Sequence, residues 1–306
     1  MIYLGVNRPF YGGEIFNYHH RSAEFCDLYK RTVELLRDRL RVPDEFVILF
    51  ANGSTTVAIE TVCASIGPSL NSFRSEEERG EFNKRFHKTM DLYCDYNGWE
   101  FGDCFICCPF ETSKSEFKEP ELVSGMNLLD YASGIGYYEI NWNADVIIGS
   151  SGKILGGLPT MGIIFIKKDL IAGTLLVRHK GTILDLCNIY EYSKKYQTPN
   201  TSLIPQIFSL QQSLLHFDIE KVRSIIDTNS SFFQFMPGRY GDCPAPILTF
   251  DYDKKLVEYL KTRNYSVYYN VYLGDKFQIS TYNYTDPKVY ETLAKEMLAW
   301  KRSSSR

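Results

Sequence analysis

Hydrophobic positions along the chain alternate between two spacings. Between residues 22 and 40, Phe25, Leu28, Tyr29, Val33, Leu36 and Leu40 recur at helical intervals, which predicts an amphipathic helix. The unbroken apolar run EFVILF at 45–50 predicts a buried strand instead. That run leads into Asn52-Gly53-Ser54-Thr55-Thr56 and then an apolar helix over 57–65. A strand, a glycine turn and a helix start together offer backbone N–H groups to an anion. Residues 76–96 are charged and read as helical. The runs CFICCPF, MNLLDY, DVIIGS and MGIIFIKK predict further buried strands. Short apolar strands alternating with helices imply an α/β fold with a largely parallel sheet and helices on both faces.

Beyond Pro199 the pattern changes. Residues 204–217 and 219–235 read as helices, followed by the strand-like PAPILTFDY, SVYYNVYL and KFQISTYN. Two amphipathic helices, KKLVEYLKTRN and DPKVYETLAKEMLAWKR, complete the set, the second opened by Asp286-Pro287. The expected organisation is a large domain over 1–203, with 1–15 packing on its neighbour, and a smaller α+β domain over 204–306.

Composition narrows the class only a little. With 306 residues, 44% hydrophobic and 23% charged, the chain has the make-up of a soluble globular enzyme. A net charge of -3 gives no general attraction to nucleic acid or to an anionic membrane. No apolar run has membrane-spanning length. The eight cysteines include the cluster Cys104, Cys107 and Cys108. A zinc site would want a second pair or nearby histidines, so these read as small hydrophobes in a strand. With no signal-peptide pattern, the thiols read as reduced and the protein as cytoplasmic.

The candidate chemistry lies at strand ends. Asp130 closes one apolar strand, and Lys153 follows another within a run of small residues, Ser150-Ser151-Gly152 before it and Gly156-Gly157 after. A carboxylate, a lysine and an anion-binding helix start, in this order, are the parts of a pyridoxal phosphate site.

At this point a resemblance becomes specific. The chain resembles the fold-type-I, class V aminotransferases, and among them the phosphoserine aminotransferase family. HHRSAEF (19–25), VPDEFVILFANGSTT (42–56), SLNSFRS (69–75), CPFETSKSEF (108–117), LLDYASGIG (128–136), GSSGKILGGLPTMGIIFIKKDLI (149–171), YQTPNTSLIPQIFSL (196–210) and FQISTYN (277–283) are similar to that family's motifs, in order and over nearly the whole chain. The resemblance implies pyridoxal 5'-phosphate as cofactor, bound as a Schiff base by the catalytic Lys153, with Asp130 on the ring nitrogen. Gly53, Ser54, Thr55 and Ser151 would serve the phosphate, Phe73 would stack on the ring and Thr112 would approach the phenolic oxygen. Gln197 and Thr198 would complete the phosphate site of a neighbouring subunit, which implies a homodimer with shared sites. His20 and Arg21 would grip a substrate anion.

Two departures bear on the substrate. Gly152 stands where the family has glutamine, just before the lysine. Gln278 stands where the family has a carboxylate-binding arginine, and a neutral amide cannot replace that fork. Lys276 and Arg178 are the nearest cations by motif position. No metal is implied. The leading expectation is an aminotransferase-like enzyme for a small amino compound, with altered carboxylate recognition. The alternative is a decarboxylase or lyase on the same scaffold, viral in origin and acting on an amino-acid-modified DNA base. A third reading, a non-catalytic scaffold, leaves Lys153, Asp130 and Thr112 without a purpose.

Overall fold

The computed structural model describes residues 2–4, 19–66, 104–122, 124–172, 182–200, 203–269 and 274–304. The central element is a sheet of strands β2 (Phe46–Asn52), β3 (Cys104–Cys107), β6 (Met126–Asp130), β7 (Val146–Ser150) and β8 (Met161–Lys167), in the order β2-β8-β7-β6-β3. β3, β6 and β7 pair parallel, and β8 pairs antiparallel with both β7 and β2. Four described strands therefore run one way, and β8 alone runs back between β7 and β2.

Side chains alternate across this sheet, so each strand feeds two cores. Ile48, Phe50, Leu129, Ile147, Ile163 and Phe165 face one way, into a core shared with helices α1 (Ala23–Leu40) and α5 (Ile204–Leu215). Leu49, Ala51, Leu128, Val146, Ile148, Ile164 and Ile166 face the other way, onto α2 (Thr55–Ile66) and α4 (Leu186–Ser193), beside the short α3 (Lys168–Ala172). The result is three layers, helix on sheet on helix.

The helix bounds follow local chemistry. α1 starts where the Ser22 hydroxyl accepts the Phe25 amide at 3.3 Å, and it stops at Arg41 in the left-handed conformation. α2 begins at Thr55, two residues ahead of its apolar stripe, because its first turn is polar and carries no periodic signal. The helix expected over 219–235 is α6 (Ile219–Ser231), opened by the Asp218 side chain on the Lys221 amide. The expected segment 76–96 lies outside the described residues.

A second sheet has the order β1-β10-β11-β9, from β1 (Ile2–Leu4), β10 (Tyr265–Tyr269), β11 (Lys276–Ser280) and β9 (Ile247–Asp251). β1 pairs parallel with β10, while β10, β11 and β9 are antiparallel neighbours. Helices α7 (Lys254–Thr262) and α8 (Pro287–Ser304) pack with it. A small hairpin, β4 (Phe110–Glu111) with β5 (Glu116–Phe117), leaves the large sheet after β3 and crosses to this second sheet. There the Ser115 hydroxyl donates to the Ile247 carbonyl at 3.0 Å, and the Asp242 amide donates to the Ser115 carbonyl at 2.6 Å.

Arg37 ties the end of α1 to the start of β2. Its guanidinium donates to the carbonyls of Val42, Pro43 and Phe46 at 3.1, 2.7 and 2.8 Å. Arg37→Leu should lower stability in urea denaturation by about 2–3 kcal/mol, since half-buried carbonyls lose a charged donor. Arg37→Lys should recover little, because one ammonium cannot reach three acceptors in the plane of a fork.

Candidate functional site

Strands β2, β3, β6 and β7 all end at the same edge of the large sheet, and β8 begins there. Ligands in open α/β sheets bind at this carboxyl edge. Three of the expected site segments leave it: Gly53-Ser54-Thr55 after β2, Asp130 at the end of β6, and Ser151 to Lys153 after β7. The opposite edge, where Trp142 packs on Phe46 and Phe165, carries a separate hollow of about 230 Å³.

The lysine loop is shaped by the need to start β8. Ser151 donates its amide to the Met161 carbonyl at 3.2 Å and accepts the Gly157 amide at 2.7 Å. Its hydroxyl lies 2.5 Å from the Leu158 carbonyl and 2.9 Å from that of Met161. In this fully buried serine both the amide and the hydroxyl meet carbonyls of the loop. Gly152 is held by Pro159: an added Cβ would sit 2.1 Å from the Pro159 Cα. A glutamine cannot stand there, which is the physical reason for that departure. The next residue, Lys153, turns its amine onto the Ser133 hydroxyl.

Asp130 is 5% exposed, and its Oδ1 accepts the Ala132 amide at 2.8 Å, which orients the carboxylate. The chain then makes a helical turn, with the Gly134 and Ile135 amides on the Tyr131 carbonyl. That turn delivers Ser133 to the lysine. Cys108, just past β3, reports the electrostatics of this corner. Burial pushes its thiol well above the ordinary value; the charges of Asp130 and Glu111 push it further, and Lys153 pulls it back. The carboxylate and the amine thus both act on this thiol.

At the end of β2, Gly53 takes φ 135°, a conformation that side chains resist, and its amide donates to the Thr160 carbonyl at 3.1 Å. Ser54 and Thr55 then open α2, whose first-turn N–H groups have no partner within the helix by construction. Thr112 lies in the β4–β5 hairpin, buried against the second sheet. Its carbonyl accepts from the Thr249 hydroxyl at 2.6 Å and from Gln278 Nε2 at 2.7 Å.

The remaining expected residues gather elsewhere. Arg21 is exposed, donating to the Tyr192 hydroxyl at 3.1 Å with its guanidinium 5.3 Å from that ring. His20 is buried beside His19, and its ring nitrogens have no hydrogen-bond partner among the described residues. Burial, then the neighbouring charges of His19 and Arg21, lower its pKa. Gln197 reaches the Cys26 thiol at 3.7 Å, and the Thr198 hydroxyl donates to the Asn200 carbonyl at 2.6 Å. The Arg21 and Gln197 contacts join the start of α1 to the end of α4 and the turn after it. Phe73 and Arg178 lie outside the described residues. Lys276 turns to the Tyr240 ring at 4.4 Å and the Ser113 carbonyl at 3.4 Å.

Sequence reasoning missed Ser133 and Thr249. The signal for Ser133 was its place three residues beyond Asp130, one helical turn on. Thr249 had no local signal, because its role depends on strand register.

No family model matches the chain. In sequence, it is 26% identical over 216 residues to the phosphoserine aminotransferase of Buchnera aphidicola, a stretch covering 62% of this chain and 58% of that protein. The chain therefore spans less than two thirds of that relative's length. In structure, it superposes on an aspartate aminotransferase of subgroup IV from Thermus thermophilus with a TM-score of 0.78 and 16% identity, covering 97% of each chain. A phosphoserine aminotransferase from Cytophaga hutchinsonii gives a TM-score of 0.75 at 14% identity, covering 97% of this chain and 98% of the other. Among the described residues no helix is long and apolar enough to cross a membrane. The chain has the fold of these aminotransferases, and part of its sequence is similar to phosphoserine aminotransferase.

Proposed function

We propose that the protein is a pyridoxal phosphate-dependent aminotransferase for a small amino compound. The observation that carries this reading is the single sheet edge that bears Lys153 on Ser133, the oriented carboxylate of Asp130 and the glycine-opened start of α2. An amine, a carboxylate and a helix N-terminus fit the aldehyde, the ring nitrogen and the phosphate of that cofactor. Amino transfer, rather than loss of a carboxylate, is also the reaction in the names of the relatives above.

Bound pyridoxal phosphate supplies an aldehyde for amine exchange and a ring that draws electrons from the substrate carbon. The chain's residues do the rest. Lys153 holds the cofactor by its amine and then carries the proton to and from the substrate carbon. Ser133 positions that amine. Asp130 keeps a proton on the ring nitrogen. The amides and hydroxyls of Ser54 and Thr55 take the phosphate, with Gly53 allowing the approach. Thr112 lies on the wall towards the second sheet.

Arg21, Gln197 and Thr198 belong to a homodimer in this reading, with the phosphate site completed by a second copy and His20-Arg21 serving its substrate. The division into a large domain over 1–203 and a small one over 204–306 is part of the same proposal. So is a cytoplasmic location.

Borohydride reduction of the cofactor-loaded protein followed by peptide mapping should label Lys153. Label on Lys167 or Lys168 instead would sink the assignment. Lys153→Ala should abolish turnover. Ser133→Ala should slow covalent cofactor attachment to Lys153 by about tenfold, the effect of one hydrogen bond of roughly 1.4 kcal/mol, while Ser133→Thr should preserve it.

Mixing Lys153→Ala chains with Thr198→Ala chains tests the shared site. Each variant alone should be inactive or weak, and mixed dimers should regain activity in one of their two sites. A cofactor-loaded protein that sediments as a monomer at micromolar concentration would contradict the homodimer.

A further inference from the structure

The hollow of about 230 Å³ at the sheet edge opposite Lys153 lies where the end of α1, the segment 136–142 and the start of α6 meet. Leu40, Ile140, Trp142 and Ile219 give it an apolar lining. A cavity of about 150 Å³ holds one benzene ring, so this one has room for a ring and a short polar head. Ser133, which meets the Lys153 amine, is not part of its lining.

Its walls are fixed from behind. Trp142 packs edge-on against Phe46 and Phe165, with ring centres 5.2 and 5.6 Å away. Gly136 is backed by the side chains of Phe217, Ile154 and Leu155, which would stand 3.0, 3.2 and 3.3 Å from a Cβ there. Arg223 is anchored at two of its nitrogens. Nε donates to the Tyr137 carbonyl at 2.8 Å and Nη1 to Glu220 at 3.3 Å. Nη2 has no partner among the described residues. Walls that are already set spare a ligand the cost of ordering them.

Charges of both signs line the hollow. Arg41 and Arg223 bring two guanidiniums, Glu139 and Glu220 two carboxylates. Arg41 and Glu139 are exposed, and their side chains make no hydrogen bond or ion pair among the described residues. The helix ends repeat the pattern: α1 brings the negative end of its dipole and α6 the positive end. A simple anion or cation placed here would meet a like charge beside the opposite one. A small molecule with both charges on neighbouring atoms and an apolar body meets a partner for each part.

We propose that this hollow binds a free α-amino acid with an apolar side chain. Its carboxylate meets Arg223 and Arg41, its ammonium meets Glu139, and its side chain packs on Leu40, Ile140 and Trp142. The site is separate from that of Lys153 and stands whether or not the aminotransferase reading does.

The test is calorimetric titration with L-phenylalanine, with 2-phenylethylamine, which lacks the carboxylate, and with 3-phenylpropionate, which lacks the ammonium. The protein is first loaded with cofactor and reduced with borohydride, so that the Lys153 amine is blocked; protein that takes no cofactor is titrated as purified. Phenylalanine should bind saturably and more tightly than either of the other two. Arg223→Met should lower its preference over phenylethylamine about tenfold, the effect of one charged hydrogen bond. Arg41→Asn should lower the same preference about threefold, as for an exposed ion pair, and Glu139→Gln should do so for the preference over phenylpropionate. The last two side chains hold nothing in the fold, so these variants decide the matter even if Arg223→Met does not fold. Equal binding of the three probes, no saturation by phenylalanine at millimolar concentration, or preferences unmoved by Arg41→Asn and Glu139→Gln overturns the proposal.

Discussion

β8 must begin at the same edge of the sheet where β7 ends, because it runs back between β7 and β2. A ten-residue return has to fit over that edge, and the site is built from its constraints. Ser151 gives up its amide and hydroxyl to close the loop. Gly152 gives up its side chain to Pro159. Lys153 comes next, and its amine meets Ser133 just past the end of β6. The same return brings Thr160 against Gly53, so the helix start at α2 is set by the loop that sets the lysine.

A second constraint joins the two sheets. The β4–β5 hairpin leaves the large sheet and is hydrogen-bonded into the small one through Thr112, Ser113 and Ser115. Its closure is tight: a Cβ on Gly241 would lie 2.1 Å from the Lys114 carbonyl oxygen, and Gly241 has φ 63°. Residues of the small sheet are therefore tied through this hairpin to the strand β3 of the large one. Gln278 donates to the Thr112 carbonyl at that seam.

Part of this arrangement can be read from residues in order. Asp130, Lys153 and the Gly53 turn stand out because buried strands stop there, and an unbroken apolar run advertises its own end. Helix α1 is legible from its stripe and from Ser22. Ser133 is less visible, since one helical turn after a strand leaves no periodic trace. Arg21 and Gln197 could be matched to motifs, yet their contacts with Tyr192 and Cys26 join segments about 170 residues apart. Ser151 shows what matching leaves out: a hydroxyl beside a lysine carries no sign of the Leu158 and Met161 carbonyls it meets across the loop.

The sequence by itself determined the type and rough place of most described strands and helices, and which side chains with useful chemistry stand near their ends. These follow from local periodicity, turn residues and caps, all of which act over a few positions. Only the tertiary structure decided that the stops share one edge, that Gly152 must be glycine, and that Gln278 turns its nitrogen to Thr112. Those outcomes depend on strand order, register and close approach between distant segments, and a hydrogen bond across a sheet seam has no signature in the residues on either side of it.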